Sequence, residues 1–162
     1  MKDWLERPTE IRNLFNPAFC GLTLLHAIHG YMEEVEEGMP FSISLLVLPN
    51  ILNPISRKAI LNNNRRYLLK IIEKEPEMLI EFSKRTNYLI PFTLEGLGVA
   101  FQYNCIDVTD SGALKIRPRS YIKKLIGSPE TKECLKAARL LGKKFSKIND
   151  RATIYTSFGV RP

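Results

Sequence analysis

An α+β fold, mainly helical and carrying one small β-hairpin, is predicted by three features of the sequence. Asparagine or serine followed by proline marks several helix starts, one pair of alternating apolar runs flanks an Asp- and Gly-containing turn, and apolar residues repeat at four and three over the last third. At 162 residues, 44% of them hydrophobic and 25% charged, the chain has ordinary globular composition and enough length to bury a real core. No repeat or linker interrupts it, so one domain over 1–162 is expected, with 1–13 and 150–162 as its least anchored ends.

Asn16-Pro17 supplies a cap and a proline at the first helical position, and Leu22, Leu25, His26, His29 and Met32 then share one face of a helix expected over about 17–37. That helix closes on Glu33, Glu34, Glu36 and Glu37, the wrong charge for the negative end of a helix dipole, which hints at a basic neighbour. Phe41 to Leu48 alternates in its first half and is apolar on both faces in its second, and is read as a strand stopped by Pro49. Asn53-Pro54 opens a short helix over 54–61, and Asn62-Asn63-Asn64 breaks it.

Leu68, Leu69, Ile71 and Ile72 make a further helical segment, and Pro76 restarts one with Met78, Leu79 and Phe82. Pro91 is expected to separate this from a helix capped by Thr93 and running to 104, in which Gly96 and Gly98 are costly unless something packs close to the backbone. Ile106 and Val108, the turn Thr109 to Gly112, then Leu114 and Ile116 give the hairpin. Ser128-Pro129-Glu130 starts the last helix, with Cys134, Ala138, Leu141, Phe145 and Ile148 on one face and Lys132, Lys136, Arg139, Lys143 and Lys147 on the other.

Helix, strand, helix, helix, hairpin is the order of a winged helix-turn-helix, so an elaborated member of that class is expected, with third helix 93–104 and wing 106–116. The fold does not by itself imply contact with DNA. Base reading by that third helix is disfavoured, because it offers only Gln102 and Asn104 and no Lys or Arg lies between Thr86 and Leu114.

Charge is divided unevenly along the chain. Residues 1–112 hold 11 Lys and Arg against 14 Asp and Glu, a balance of −3, whereas 113–162 hold 13 against 3, a balance of +10. Such a basic third favours phosphate or an acidic protein face, although a solvated surface kept for solubility explains it equally well. The candidate phosphate contacts are Lys115, Arg117, Arg119, Lys123 and Lys124 around the wing, and Lys132, Lys136, Arg139, Lys143 and Lys147 on the last helix.

Catalytic signatures are not found, and neither a cofactor nor a metal is expected. His26 and His29 are three apart, but no second pair of ligands stands at diagnostic spacing. Neither GxxxxGK[ST] nor GxGxxG occurs. Cys20, Cys105 and Cys134 are odd in number and widely spaced, which predicts reduced thiols in a cytoplasmic protein, and no apolar stretch approaches the length of a membrane span. The closing residues from Asp150 are too apolar for solvent-facing coil and favour an extended strand. Either they fold back onto the domain, or Arg151, Thr153, Ile154, Tyr155, Phe158, Val160 and Arg161 dock on a partner.

Asn16-Pro17-Ala18-Phe19-Cys20-Gly21 with its Leu-rich helix, the expected strand ending in Leu48-Pro49, and the closing Arg151-Ala152-Thr153-Ile154-Tyr155 and Gly159-Val160-Arg161-Pro162 resemble the middle component of bacterial three-component ABC systems. The resemblance spans nearly the whole chain. It implies a non-enzymatic adaptor that accompanies an SMC-like or Rad50-like ABC ATPase subunit and a larger effector-bearing subunit in antiviral defence, against phages or other invading DNA, with DNA contacted in the assembled complex. A free-standing winged-helix DNA-binding regulator is the alternative, and a small metal-dependent enzyme built on His26 and His29 is a third class.

Overall fold

The computed structural model describes residues 6–117 and 127–161. Its elements are α1 (Thr9–Leu14), α2 (Pro17–Met32), β1 (Met39–Pro40), α3 (Phe41–Ser44), α4 (Val47–Ile51), α5 (Pro54–Asn62), α6 (Leu68–Lys74), a 3-10 turn Pro76–Leu79, α7 (Phe82–Gln102), β2 (Ile106–Val108), β3 (Ala113–Ile116), α8 (Pro129–Ile148) and α9 (Arg151–Ser157). The class is α+β and mostly helical, with one small antiparallel sheet of order β1-β3-β2.

The capped starts form as their chemistry dictates. Asn16 Oδ1 accepts from the Ala18 amide at 2.9 Å, Asn53 Oδ1 from Ser56 at 3.0 Å and Ser128 Oγ from Thr131 at 3.2 Å. The hairpin also forms, pairing Ile106 with Ile116 and Val108 with Leu114, and Thr109 Oγ1 ties its turn by accepting from Ala113 at 3.0 Å.

Helix α2 is the axis of the fold, buried nearly all round rather than along one stripe: Leu24, Ala27 and Ile28 are fully buried, while His29 and Met32 are only partly covered. Glycines let its neighbours approach backbone to backbone. A Cβ on Gly30 would lie 2.0 Å from the Arg139 carbonyl oxygen of α8, and one on Gly142 would lie 1.9 Å from that of Ala27. On the other side Gly21 meets Gly96 of α7, which explains why α7 tolerates a glycine there; Gly98 meets nothing within 4 Å.

Four expectations need correction. Helix α2 ends at Met32 rather than 37, which removes Glu34, Glu36 and Glu37 from its unfavourable negative end. Residues 41–48 are not a strand but the start of two short helices, because Ile43, Val47 and Ile51 recur at four and all three are fully buried. Pro49 does not stop α4; it sits in the first turn, where a missing N–H costs nothing.

Pro91 does not divide α7 either, and Thr93 is no cap: its hydroxyl donates to the Leu89 carbonyl inside a continuous helix. The buried row Phe82, Leu89, Phe92, Leu97 and Ala100 outweighs the roughly 3 kcal/mol that an interior proline costs. Finally, the tail is helical and well anchored. Asp150 caps α9 by accepting from the Thr153 amide at 2.8 Å, and Phe158 stacks on Phe82 with ring centroids 4.6 Å apart.

Candidate partner and nucleic-acid interface

Helix α8 carries its basic stripe along the surface of the protein, and the stripe passes the C-terminal end of α2. Lys132, Lys136, Arg139 and Lys147 are exposed and Lys143 is half-buried. The stripe divides into two parts. Arg139 Nε donates to Glu33 Oε1 at 2.5 Å, and Lys143 Nζ reaches Glu33 at 3.2 Å and Glu34 at 3.4 Å. The acidic end of α2 therefore finds its basic neighbour within the same chain. Burial opposes the charge on Glu33, but the hydrogen bonds from Arg139 and Lys143 outweigh it and hold the carboxyl below its ordinary range. Lys132, Lys136 and Lys147 form no ion pair among the described residues, and the Lys147 ammonium lies 6.0 Å from the Tyr67 ring centroid.

On the hairpin, Lys115 is exposed opposite Asp107, and Arg117 donates to Asp107 Oδ1 at 2.8 and 2.5 Å. Arg119, Lys123 and Lys124 lie outside the described residues.

Of the tail residues, Ile154, Tyr155 and Phe158 face the protein's own core, and the Tyr155 hydroxyl donates to the Ser42 carbonyl at 2.6 Å. Arg151, Thr153 and Arg161 are exposed and Val160 is half-buried. As an interface the tail thus offers polar residues.

Two features of the surface escape a reading of the stripe alone. The first is Lys144, next to Lys143 in sequence but 5% exposed, whose ammonium donates to the carbonyls of Asn63 at 3.1 Å, Asn64 at 2.9 Å and Arg66 at 2.7 Å. Burial, with Lys147 nearby, pushes its pKa down to about 8, yet three acceptors match the three protons of the charged form, so the charge stands at neutral pH. Lys144 pins the turn from α5 to α6 against α8. Its spacing from Leu141 and Ile148 on the apolar face was the signal for this.

The second is an apolar row on the outside of α7. Leu94, Gly98 and Phe101 share one face at spacings of four and three; Leu94 is 48% and Phe101 39% exposed. Tyr103 just beyond is also exposed, and no cation lies between Arg85 and Lys115.

His26 is buried with neither ring nitrogen bonded to a described residue, and burial, then the nearby His29 and Arg139 charges, lower its pKa to about 4. His29 Nδ1 lies 3.7 Å from Glu33. Burial, reinforced by Glu95, pushes the Cys20 thiol up to about 12, and burial raises Cys134 too, which makes both poor nucleophiles. Among the described residues no three His, Cys, Asp or Glu side chains gather as metal ligands, and no helix is long and apolar enough to cross a membrane. A cavity of about 340 Å³ opens beside Arg57, but Glu130 at 3.1 Å and Glu133 at 3.8 Å already match that cation.

Residues 4–162 match the family described as ABC-three component (ABC-3C) system Middle Component 3. No curated protein and no solved structure matches the chain.

Proposed function

This chain belongs to the Middle Component 3 family of ABC-three component systems and is a component of such a system, and from that premise we propose that it is a non-enzymatic adaptor. In this reading it joins an ABC ATPase subunit to a larger effector-bearing subunit in the cytoplasm, in defence against invading DNA. The match over residues 4–162 carries the proposal, since membership of a multi-component system entails protein partners. The surface supports it with two unlike faces: the uncharged row Leu94, Gly98 and Phe101 suits a protein partner, and the free cations of α8 suit a polyanion.

Co-expression with the other components of the system, followed by affinity purification, tests the adaptor role. The chain is expected to bring down the ATPase, and Leu94→Asp with Phe101→Asp is expected to abolish this while the melting temperature of the isolated chain holds. A chain that always purifies alone overturns the proposal.

The sheet supports a second, narrower reading. The strand after the first long helix pairs with the second hairpin strand, and the hairpin follows another long helix, as in a winged helix. A free-standing regulator built this way would read bases with α7, whose outer row is apolar. We therefore place nucleic-acid contact on α8, as non-specific phosphate binding.

A further inference from the structure

Between the turn that precedes α6 and the outer side of α8 lies a pocket of about 150 Å³. Arg65, Arg66 and Tyr67 form one wall, Lys143, Lys144 and Lys147 the other, and no carboxylate lines it. Five cations are thus drawn together from two elements far apart in sequence. Lys143 is engaged by Glu33 and Glu34, and Lys144 by three backbone carbonyls that fix the turn. The side chains of Arg65, Arg66 and Lys147 make no hydrogen bond or ion pair with any described residue, and the Lys147 ammonium lies 6.0 Å from the Tyr67 ring centroid. Tyr67 stands among them with 67% of its surface exposed, far more than a tyrosine needs to hydrate its hydroxyl.

An acidic protein surface would use the cations but needs no flat ring among them. A duplex would reach phosphates but present no open base face. A single strand uses both, because its phosphates seek the cations while an unstacked base lies on an aromatic ring.

We propose that this pocket holds one nucleotide unit of a single-stranded nucleic acid, its phosphate against Arg65, Arg66 and Lys147 and its base stacked on Tyr67. The inference deepens the reading of the basic face as a nucleic-acid contact and rests on it. It adds Arg65, Arg66 and Tyr67 as ligand-binding residues and Lys144 as a positioning residue.

The test titrates the full chain with a labelled oligothymidylate, following fluorescence anisotropy across a range of salt. Tyr67→Ala is expected to weaken binding roughly 5- to 150-fold while Tyr67→Phe keeps it, the range that stacking of one base spans. Arg65→Ala with Arg66→Ala is expected to reduce the slope of log affinity against log salt by about 0.7 per lost phosphate contact. These three side chains are exposed, so unchanged melting temperatures are expected to separate lost binding from lost folding.

Equal binding by Tyr67→Ala and the parent overturns the proposal. So does equal competition by a polyglutamate peptide, by inorganic phosphate, or by duplex of the same length. Loss of binding in Lys132→Glu with Lys136→Glu but not in the pocket variants rejects the pocket while leaving the basic face standing. No binding by the parent chain rejects both.

Discussion

The two sides of α8 meet their surroundings by opposite means. Inward, Gly142 against Ala27 and Gly30 against Arg139 bring the backbones of α8 and α2 closer than any side chain would permit, and Leu141 and Phe145 are buried beside them. Outward, long cations reach across the surface, two of them neutralised by Glu33 and Glu34 and three left over. Dispersion and backbone contact fall off within an ångström, so the inner side tolerates no change. Charge acts over several ångströms and is screened by salt, so the outer side can be rearranged at little cost to the fold.

The sharpest way to break this contrast is Gly142→Ala. Helix propensity alone predicts that alanine stabilises the interior of α8 by about 1 kcal/mol. The structure predicts the opposite sign, because the new methyl would lie 1.9 Å from the Ala27 carbonyl oxygen, a backbone atom that yields only if the helices separate. A loss of at least about 4 kcal/mol, or failure to fold, is expected in urea unfolding or in recovery of soluble protein. A gain would mean that α2 and α8 lie farther apart than described.

His26 sharpens the contrast from within the buried side. Its folded pKa of about 4 lies below the ordinary 6.5, so the unfolded chain takes up a proton that the folded one refuses. The stability held by the neutral ring is complete above pH 6.5, is lost as pH falls, and is gone below pH 4. The loss amounts to about 2 kcal/mol by pH 5 and about 3 kcal/mol in full. Urea unfolding of the parent and of His26→Leu at pH 7.5 and pH 5 reads it as a difference of differences, which cancels the carboxylates common to both. Parallel pH dependence in the two proteins would show that the ring finds a proton acceptor on burial.

How much of this was legible in the sequence depended on whether local chemistry and tertiary packing agreed. The starts at Asn16, Asn53 and Ser128, the hairpin and α8 are cases where capping, turn residues and period point one way. Residues 41–48 read as a strand because Phe41, Ile43, Leu45 and Val47 alternate with Ser42 and Ser44, whereas the spacing of four that the fold uses shows only when Ile51, beyond Pro49, is included. Pro91 reads as a breaker, but packing of the α7 face outweighs it. The tail reads as a strand from its Thr, Ile and Tyr, whereas Asp150 with Thr153 three residues on caps a helix.

The stripe on α8 was legible as charge, but its division was not. Pairing with Glu33 depends on how α2 and α8 cross, and the basic pocket depends on the turn at 64–67 coming to rest beside Lys144.

The smallest expected effect on stability comes from Glu33→Gln, and it bears most directly on the outer side. Glu33 holds Arg139 and Lys143 and has His29 at 3.7 Å, but its side chain is 26% exposed, so solvent screening limits its worth to about 1 kcal/mol. That contribution is present while the carboxylate is charged and fades as pH falls through its lowered folded pKa, so the variant should differ from the parent at pH 7 and converge with it in acid. Binding of duplex DNA should move the other way. Removing the carboxylate releases Arg139 toward the same face as Lys132 and Lys136, while Lys143 keeps Glu34 at 3.4 Å. That release should tighten binding and steepen the plot of log affinity against log salt by about 0.9 for each phosphate newly engaged. A variant slightly less stable and more tightly bound would show that Glu33 holds part of the basic face in reserve. Unchanged affinity with the same small destabilisation would show that Arg139 and Lys143 serve only to join α8 to α2, and would confine the polyanion contact to the three cations that the fold leaves unpaired.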